Sequence, residues 1–354
     1  MKQIFKFMFL QLIIVLIIVG GESKWNVPGA AEETKQIKIS WGEYAGAGDG
    51  RYVQYDYFIK RIAEETKNRI DIKMYPGEQL VKSAQIYEAV IQGTVDMSAI
   101  STAYYAGKLP LLAYQMETGY WDNGDAGVIV SRLRKEIDEI FKKDGVKFLG
   151  WGGILPPLCL VGPKTFRTFD DMKGLKFRTP GIGAAVINAW GGTGVAISNP
   201  EIYMALQRGV VDGAYATLDA WVTYHMWEVA KTITFNRCGG GPTFAIMNGK
   251  KWEGLPEYVK NAFEKVSREM PAWLYFYNRN NVESLEKFLK SKFKMSYKLT
   301  PEENKIWIEK QNGYIWKPAV KKYGEPARVL WEKWADIAKE CANARETGDL
   351  PKFY

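Results

Sequence analysis

Short apolar runs alternate with amphipathic segments from residue 37 onward. Residues 37–41 (IKISW) predict a strand, and residues 52–67 carry apolar side chains at helical spacing. A second strand is predicted at 70–75 (IDIKMY), followed by a helix over 84–92 and a strand over 95–101. Strands that alternate with helices in this way are typical of α/β proteins with largely parallel sheets.

One segment of the chain is repeated at a constant offset of 116 residues. The sequence IYEAVIQGTVD (86–96) matches IYMALQRGVVD (202–212) at six of eleven positions without a gap. Each copy reads as a helix that ends at a glycine, Gly93 or Gly209, and leads directly into a strand. We infer two α/β lobes, each containing an equivalent helix–strand unit.

The pattern changes after Pro256, where helical spacing replaces the alternation. Helices are predicted over 256–293, with an interruption at Pro271, and then over 301–323 and 325–345. A helical tail of this length would pack across or beside the two lobes.

The N-terminus has the pattern of an export signal. Lys2 and Lys6 precede a 13-residue apolar run, which small residues follow. Such a run is short for a membrane span and typical of a secretory signal peptide. We expect residues 1–21 to be the signal peptide and 22–36 a flexible lead-in. The protein is then periplasmic, or anchored at its N-terminus if the signal is not cleaved.

Composition narrows the class of protein. The 354 residues are 47% apolar and 25% charged, which is typical of a soluble globular protein, and the length suits two domains. The formal net charge is +8, but basic residues do not cluster into the face that nucleic-acid binding needs, so we expect no nucleic-acid partner. Cys159, Cys238 and Cys341 lack metal-ligand spacing; we expect buried thiols, while one disulfide is compatible with the count.

Motifs for catalysis are missing from the sequence. His225 is the single histidine and lies in an amphipathic stretch, where an ordinary surface or core histidine is the simpler interpretation than a catalytic base. The chain contains no G-x-S-x-G, H-E-x-x-H or Walker motif. GAGDG (46–50) lacks the third glycine of a dinucleotide loop, and DNGD (122–125) reads as a solvated turn rather than a calcium site. We predict no enzyme activity, no cofactor and no metal.

The segment GLKFRTPG (174–181) places Arg178 at the end of an apolar strand, just before a Pro-Gly turn. Arginine cannot lose its charge, and its burial without a partner is costly. Ligands of α/β sheets bind at the carboxyl ends of strands, which face the cleft in a two-lobed protein. Arg178 could therefore grip a ligand carboxylate there, or form a structural ion pair with an Asp or Glu.

The segments around Arg178 resemble a known family. DMKGLKFR (171–178), PEIYMALQRGVVDG (200–213) and KTIT (231–234) resemble the substrate-binding subunits of TRAP transporters, the tripartite ATP-independent periplasmic family. The resemblance extends from about residue 37 to the C-terminal helices, and NGKKWEGLPEYVKNAF (248–263) also fits it.

The resemblance implies a fold and a function. The fold is α/β, a two-lobe periplasmic-binding-protein fold (type II-like) with hinge strands and a long C-terminal helix spanning the lobes. The protein would close around a small organic acid, hold its carboxylate with Arg178, and deliver it to the TRAP permease membrane subunits. Lobe I is predicted to comprise 37–157 plus about 217–248, and lobe II 158–216 plus about 249–345.

Two departures from the family pattern restrict the ligand. Many members carry a second arginine in a G-F-R-x-x-x-N-like segment, where this chain reads ILPPLCLVG (154–162). Members with that arginine often bind dicarboxylates or sugar acids, so these acids are disfavoured as ligands of this chain. Keto-acid binders place an acidic residue and a tryptophan where this chain has Tyr215 and Ala216, which disfavours a metal-bridged ligand.

Aromatic residues near the predicted strand ends are the remaining candidates for the pocket, although each could instead lie in the core. Together with Arg178 they predict a monocarboxylate with an apolar or aromatic body. The alternatives are a secreted enzyme acting on an acidic substrate and a sensory binding protein for the same acid. The aromatic candidates are Trp41, Tyr44, Tyr104, Trp151, Tyr215 and Trp221.

Overall fold

The computed structural model describes residues 36–117, 124–151, 153–236 and 238–353. The predicted signal peptide and the lead-in up to residue 35 lie outside the described residues, as do Asp122 and Asn123 of the predicted turn. The strands are β1 (Ile37–Gly42), β2 (Ile70–Tyr75), β3 (Met97–Ile100), β4 (Val146–Phe148), β5 (Ile154–Leu155), β6 (Leu158–Gly162), β7 (Lys176–Thr179), β8 (Thr193–Ala196), β9 (Gly213–Thr217), β10 (Thr232–Phe235), β11 (Gly241–Pro242), β12 (Phe244–Asn248) and β13 (Met295–Lys298). The helices are α1 (Gly50–Glu65), α2 (Ile86–Gln92), α3 (Pro110–Ala113), α4 (Asp125–Arg132), α5 (Arg134–Lys142), α6 (Gly183–Ala189), α7 (Ile202–Gln207), α8 (Leu218–Thr223), α9 (Gly249–Glu253), α10 (Glu257–Lys292), α11 (Pro301–Tyr323) and α12 (Glu325–Thr347).

The first lobe is built on a five-stranded sheet in the order β2-β1-β3-β12-β4. Strand β1 runs parallel to β2, with Ile39 opposite Ile72, and also parallel to β3. Strand β12 is antiparallel to both of its neighbours. Buried and exposed residues alternate in the first four positions of β2, because successive side chains point to opposite faces of the sheet.

The second lobe is built on a six-stranded sheet in the order β13-β10-β6-β9-β7-β8. Strand β7 is parallel to β8 and β9, whereas β6 is antiparallel to β9 and β10. The prediction of largely parallel sheets is therefore only half right. The antiparallel members β6 and β12 are the strands that the chain enters immediately after crossing from the other sheet.

The repeated segment forms the same unit in both lobes. Helix α2 ends at Gly93 with φ 77°, and α7 is followed by Gly209 with φ 65°. The last residue of each copy also makes the same bonds: an Asp96 oxygen accepts from the backbone N–H of Ser40 at 2.8 Å, and an Asp212 oxygen accepts from that of Lys176 at 2.8 Å. The internal repeat therefore marks equivalent positions in the two sheets.

Besides the C-terminal helices, two extended chain crossings connect the lobes. Residues 149–157 lead from β4 to β6, and 236–243 lead back from β10 to β12; the short strands β5 and β11 within them pair antiparallel. The side chain of Gln54 on α1 binds both backbone groups of Ile154, at 2.9 and 3.2 Å. These paired crossings are the hinge strands of the two-lobe fold.

The sheets support different lobe boundaries from those predicted. Strand β10 lies in the range assigned to lobe I, but it pairs with β6 and β13 in the second sheet. Helix α12 lies in the range assigned to lobe II, but Trp331 and Trp334 are buried in the same apolar cluster as Ile86 and Val128 of the first lobe. We propose that the return to the first lobe occurs at 236–243.

Long C-terminal helices bind the two lobes together. Helix α10 has 36 residues, about 54 Å at 1.5 Å per residue, and it contacts α1 and α4 of the first lobe and α8 of the second. The predicted interruption at Pro271 is absent, since the helix continues through it. At this point α4 packs closely, because a Cβ on Gly127 would lie 3.0 Å from the Pro271 carbonyl oxygen.

The remaining sequence predictions concern cysteines and membrane spans. Cys159, Cys238 and Cys341 are all buried and form no disulfide, so that alternative is not realised. Within the described part of the chain, no helix is both long and apolar enough to cross a membrane.

Candidate ligand-binding site

Arg178 lies on β7, one residue before the end of the strand, and its side chain is completely buried. Its Nε donates to the backbone oxygen of Ile197 at 2.8 Å, and its Nη2 donates to the Asn199 Oδ1 at 2.7 Å. The third nitrogen, Nη1, has no hydrogen-bond partner. Two edges of the guanidinium are thus fixed by the protein, and one is left for another acceptor.

The charge of Arg178 is not balanced by a neighbouring carboxylate. Among the residues described, no Asp or Glu forms a salt bridge with it, which removes the structural ion pair as its explanation. Burial lowers the pKa of Arg178, and the nearby Tyr104 hydroxyl acts in the opposite direction. Arginine remains charged even when it is buried, so the Arg178 side chain is a buried cation held by neutral oxygens.

A small cavity of about 30 Å³ lies beside this guanidinium. Its walls come from segments that follow the carboxyl ends of β1 and β3 in the first lobe and of β7 and β9 in the second, together with the hinge strand β5. Parallel strands present their carboxyl ends at one edge of each sheet, which explains why the walls meet here. The lining residues are Tyr44, Arg51, Ser101, Ala103, Tyr104, Leu155, Leu158, Arg178, Pro180, Asn199, Ala216 and Thr217.

The two lobes touch directly next to the cavity. The backbone N–H of Ile182, after β7, donates to the carbonyl oxygen of Ala103, after β3, at 3.0 Å. Gly181 has φ 30°, and a Cβ at this position would lie only 1.9 Å from the same Ala103 oxygen. A glycine is therefore required for the lobes to approach this closely.

Two of the predicted aromatic residues line the cavity. The rings of Tyr44 and Tyr104 meet edge to face, with centroids 5.7 Å apart. Tyr44 is 4% exposed, and its hydroxyl accepts a hydrogen bond from Arg51 Nη1. These two tyrosines and Arg178 are the predicted site residues that the structure brings together.

The other four aromatic candidates lie in the core and are not cavity-lining residues. Trp41 and Trp151 pack against each other and against Phe58 beneath the first sheet. Tyr215 packs edge to face on Trp190, and its hydroxyl donates to the Cys238 carbonyl. Side chains alternate along β9, so Tyr215 faces the core while Ala216 lines the cavity. Trp221 lies in the apolar cluster beneath the second sheet.

The sequence did not reveal a buried charged cluster, which adjoins the cavity wall on the side away from Arg178. Arg51, in the first turn of α1, binds Asp49 through two hydrogen bonds: Nε to Oδ1 at 2.7 Å and Nη2 to Oδ2 at 2.6 Å. Asp219 of α8 reaches the same guanidinium from the second lobe, with its Oδ2 3.8 Å from Arg51 Nε. The available signal was Asp49 itself, a helix N-cap directly before an apolar periodic segment.

Burial and mutual charge set the pKa values in this cluster. For Asp49, burial acts to raise the pKa, but the adjacent Arg51 outweighs it, and the pKa is held below its ordinary value. For Asp219, burial and the charge of Asp49 raise the pKa to about 7. Burial likewise raises the pKa of Glu43 to about 7, against the effect of Arg51. Asp49 is therefore the carboxylate that neutralises Arg51.

His225 is distant from this chemistry. Its side chain is 62% exposed, it stacks on Trp227, and it lies 3.6 Å from Glu228. Of the two ordinary interpretations of this histidine, surface or core, the structure shows the first, and no nucleophile–base pair involving it lies among the cavity-lining residues.

Comparison with known proteins adds a family and a set of similar folds. The family described as DctP, bacterial extracellular solute-binding protein, family 7, matches residues 41–322. A monocarboxylate 2-oxoacid-binding periplasmic protein of Nostoc sp. is 28% identical over 259 residues, 68% of each chain. The C4-dicarboxylate-binding periplasmic protein DctP of Rhodobacter capsulatus is 29% identical over 266 residues, 71% of this chain and 77% of that protein.

Among solved structures, the fold is similar to that of DctP7 of Bordetella pertussis, an extracytoplasmic solute receptor binding pyroglutamic acid. The TM-score is 0.77 at 17% identity, covering 84% of this chain and 99% of that chain. At this level of identity the similarity establishes the two-lobe fold.

Proposed function

Since this chain belongs to the DctP family of bacterial extracellular solute-binding proteins, which serve TRAP transporters, we propose that it captures an organic monocarboxylate outside the cytoplasm and delivers it to the membrane subunits of a TRAP permease. The observation that carries the proposal is the buried Nη1 of Arg178, a charged donor without a hydrogen-bond partner in the wall of a cavity lined by both lobes. A carboxylate oxygen is the acceptor that such a donor favours most.

The charges of the cavity support an acid with a single carboxylate. Arg178 is the one cation among the lining residues that no carboxylate neutralises, because the charge of Arg51 is already balanced by Asp49. A second carboxylate of the ligand would approach Asp49 and Asp219 rather than a free cation. Buried charges without a partner are costly, so a dianion is disfavoured.

The shape and polarity of the cavity support a small body with apolar surface. The cavity is small, about 30 Å³, and the rings of Tyr44 and Tyr104 form one side of it. An apolar or aromatic ligand body would contact the uncharged part of the wall. That part consists of Ala103, Leu155, Leu158, Pro180 and Ala216.

A ligand in this cavity would hold the lobes together. It would contact Arg178 in the second lobe and Tyr44 and Tyr104 in the first, and a ligand that binds only the closed state shifts the population toward closure. The paired strands β5 and β11 are suited to act as the hinge. We further propose export through residues 1–21 and recognition of the closed form by the permease.

The function is tested by isothermal calorimetry across a library of organic acids, guided by mass spectrometry of any small molecule that co-purifies. Arg178→Ala should weaken binding of the preferred acid by about 100-fold or more, because it leaves a buried carboxylate unpaired. Arg208→Ala, at an exposed position after α7, is the matched control and should bind normally.

Three results would count against the proposal. Near-native affinity of Arg178→Ala would remove the assigned role of this arginine. Tight binding restricted to dicarboxylates would remove the monocarboxylate class. Recovery of a chemically converted ligand after mixing would indicate an enzyme instead of a binding protein.

A further inference from the structure

The hydroxyl group of Tyr44 has an unusual hydrogen-bonding position. It belongs to a buried residue in the cavity wall and accepts a hydrogen bond from Arg51 Nη1. Across the described ranges of the chain, this hydroxyl accepts that bond and donates none of its own. A buried donor without an acceptor is unfavourable, so such a group in a ligand cavity points to an acceptor on the ligand.

The orientation of this hydroxyl is set by its neighbours. Arginine carries only donors, so the Tyr44 oxygen must act as the acceptor toward Arg51. Arg51 cannot turn away, because Asp49 holds its Nε and Nη2 with bonds of 2.7 and 2.6 Å. The lone pair of Tyr44 that faces Arg51 is therefore occupied, and its proton is directed elsewhere.

We propose that Tyr44 is a specificity-determining residue that donates a hydrogen bond to a neutral oxygen of the ligand, so that the preferred acid is a monocarboxylate bearing a hydroxyl or carbonyl oxygen. This inference rests on the proposed function, because Arg178 must first hold the carboxylate. Arg178, whose Nη1 has no hydrogen-bond partner, and Tyr44, whose hydroxyl is bonded only as an acceptor, line one cavity from the two lobes.

The electrostatics of this wall favour a neutral oxygen over a second carboxylate. Arg51 is neutralised by Asp49, and a further carboxyl, that of Asp219, lies 3.8 Å from Arg51 Nε. Burial raises the pKa of Tyr44 well above its ordinary value, so the phenol keeps its proton and remains a donor. A hydroxyl or carbonyl oxygen accepts this proton without bringing another negative charge into the cluster.

Matched pairs of acids test the proposal. Pyroglutamate is compared with cyclopentanecarboxylate, and 2-hydroxybutyrate with butyrate, by calorimetry on the full exported chain. The wild-type protein should prefer the oxygen-bearing acid of at least one pair by about tenfold, the range expected of one neutral hydrogen bond. Tyr44→Phe should reduce this preference to twofold or less, whatever the change in its overall affinity for acids.

Tyr203→Phe is the matched control variant. It removes a hydroxyl that bonds Glu228 at 3.0 Å at the surface, and it should keep the wild-type preference. Thermal unfolding of each variant verifies that it folds. The wild-type comparison of paired acids needs no variant, so the proposal stays testable even if Tyr44→Phe does not fold.

The outcomes separate this inference from the proposed function. If wild type binds acids through Arg178 but shows no preference within either pair, the role of Tyr44 is refuted while the proposed function stands. Equal losses for both members of a pair in Tyr44→Phe, or an unchanged preference, would also refute it. If none of these or other organic acids binds the wild-type protein, the proposed function fails and this inference fails with it.

Discussion

Replacing Asp219 by Asn should make the protein more stable at neutral pH, although it removes a residue of a buried ion cluster. The Asp219 side chain is 2% exposed, its Oδ1 accepts from the backbone N–H of Ala220 at 2.9 Å, and its Oδ2 has no hydrogen-bond partner. Because Arg51 is already bound bidentately by Asp49, Asp219 is the carboxyl left over. Its burial together with the charge of Asp49 raises its pKa from 3.8 to about 7.

The sign and size of the effect follow from proton linkage. Below pH 3.8 the carboxyl is protonated in both the folded and the unfolded chain. Between pH 3.8 and about 7 the unfolded chain releases the proton while the folded protein keeps it, so the free energy of unfolding falls as pH rises. Each pH unit contributes about 1.4 kcal/mol, which amounts to about 4 kcal/mol across the window and no further loss above it.

Urea unfolding of wild type and Asp219→Asn at pH 5 and pH 8 measures this contribution. The amide occupies the same volume, cannot ionise, and can donate toward Asp49. We expect the stability advantage of the variant to be about 2–3 kcal/mol larger at pH 8 than at pH 5. Asp56→Asn, at a partly exposed position of α1, is the control and should show no such pH-dependent difference.

Opening of the lobes in the absence of ligand would expose Asp219, and the same pH dependence would then appear in ligand affinity. Ligand binding is therefore measured over the same pH range, and wild-type affinity should fall between pH 5 and 8 relative to the variant. The reasoning is refuted if the difference between wild type and Asp219→Asn is independent of pH in both unfolding and binding.

Two further substitutions test the closed cleft and the assignment of the aromatic residues. Gly181→Ala should lower ligand affinity by tenfold or more, because in the closed lobes its Cβ would lie 1.9 Å from the Ala103 oxygen. The circular dichroism spectrum should stay unchanged. Unchanged affinity would contradict this contact. Trp151→Ala should lower the free energy of unfolding by about 3–5 kcal/mol in urea titrations, because removal of a completely buried side chain leaves a cavity in the core. The folded variant should keep the wild-type order of preference among acids. A changed order would place Trp151 in the ligand site.

The local sequence was sufficient to predict the class of fold and the arginine that forms one wall of the site. Alternating strands and helices, the copies at 86–96 and 202–212, and the position of Arg178 at a strand end are features of neighbouring residues. Strands and helices can be recognised from the sequence because the side-chain direction repeats every 2 residues in a strand and every 3.6 residues in a helix. The family motifs around Arg178 extended this to two lobes and a cleft.

Tertiary structure alone decided which aromatic residues meet the ligand cavity. Tyr44 and Tyr104 line it, whereas Trp41, Trp151 and Trp221 are equally apolar and equally close to strand ends but lie in the core. A sequence shows that a side chain is large and apolar. It does not show which of two buried environments the side chain enters, because that depends on how the sheets and helices pack.

The charged cluster illustrates the same division most clearly. Asp49 and Arg51 are two residues apart in sequence, yet Asp219 reaches them from the other lobe. No local pattern encodes that contact, because the interaction energy of charges depends on distance in space and on exclusion of water. The sequence was enough to place the cation Arg178 at the end of β7. Its surroundings depend on the packing of the two lobes and could be read only from the folded chain.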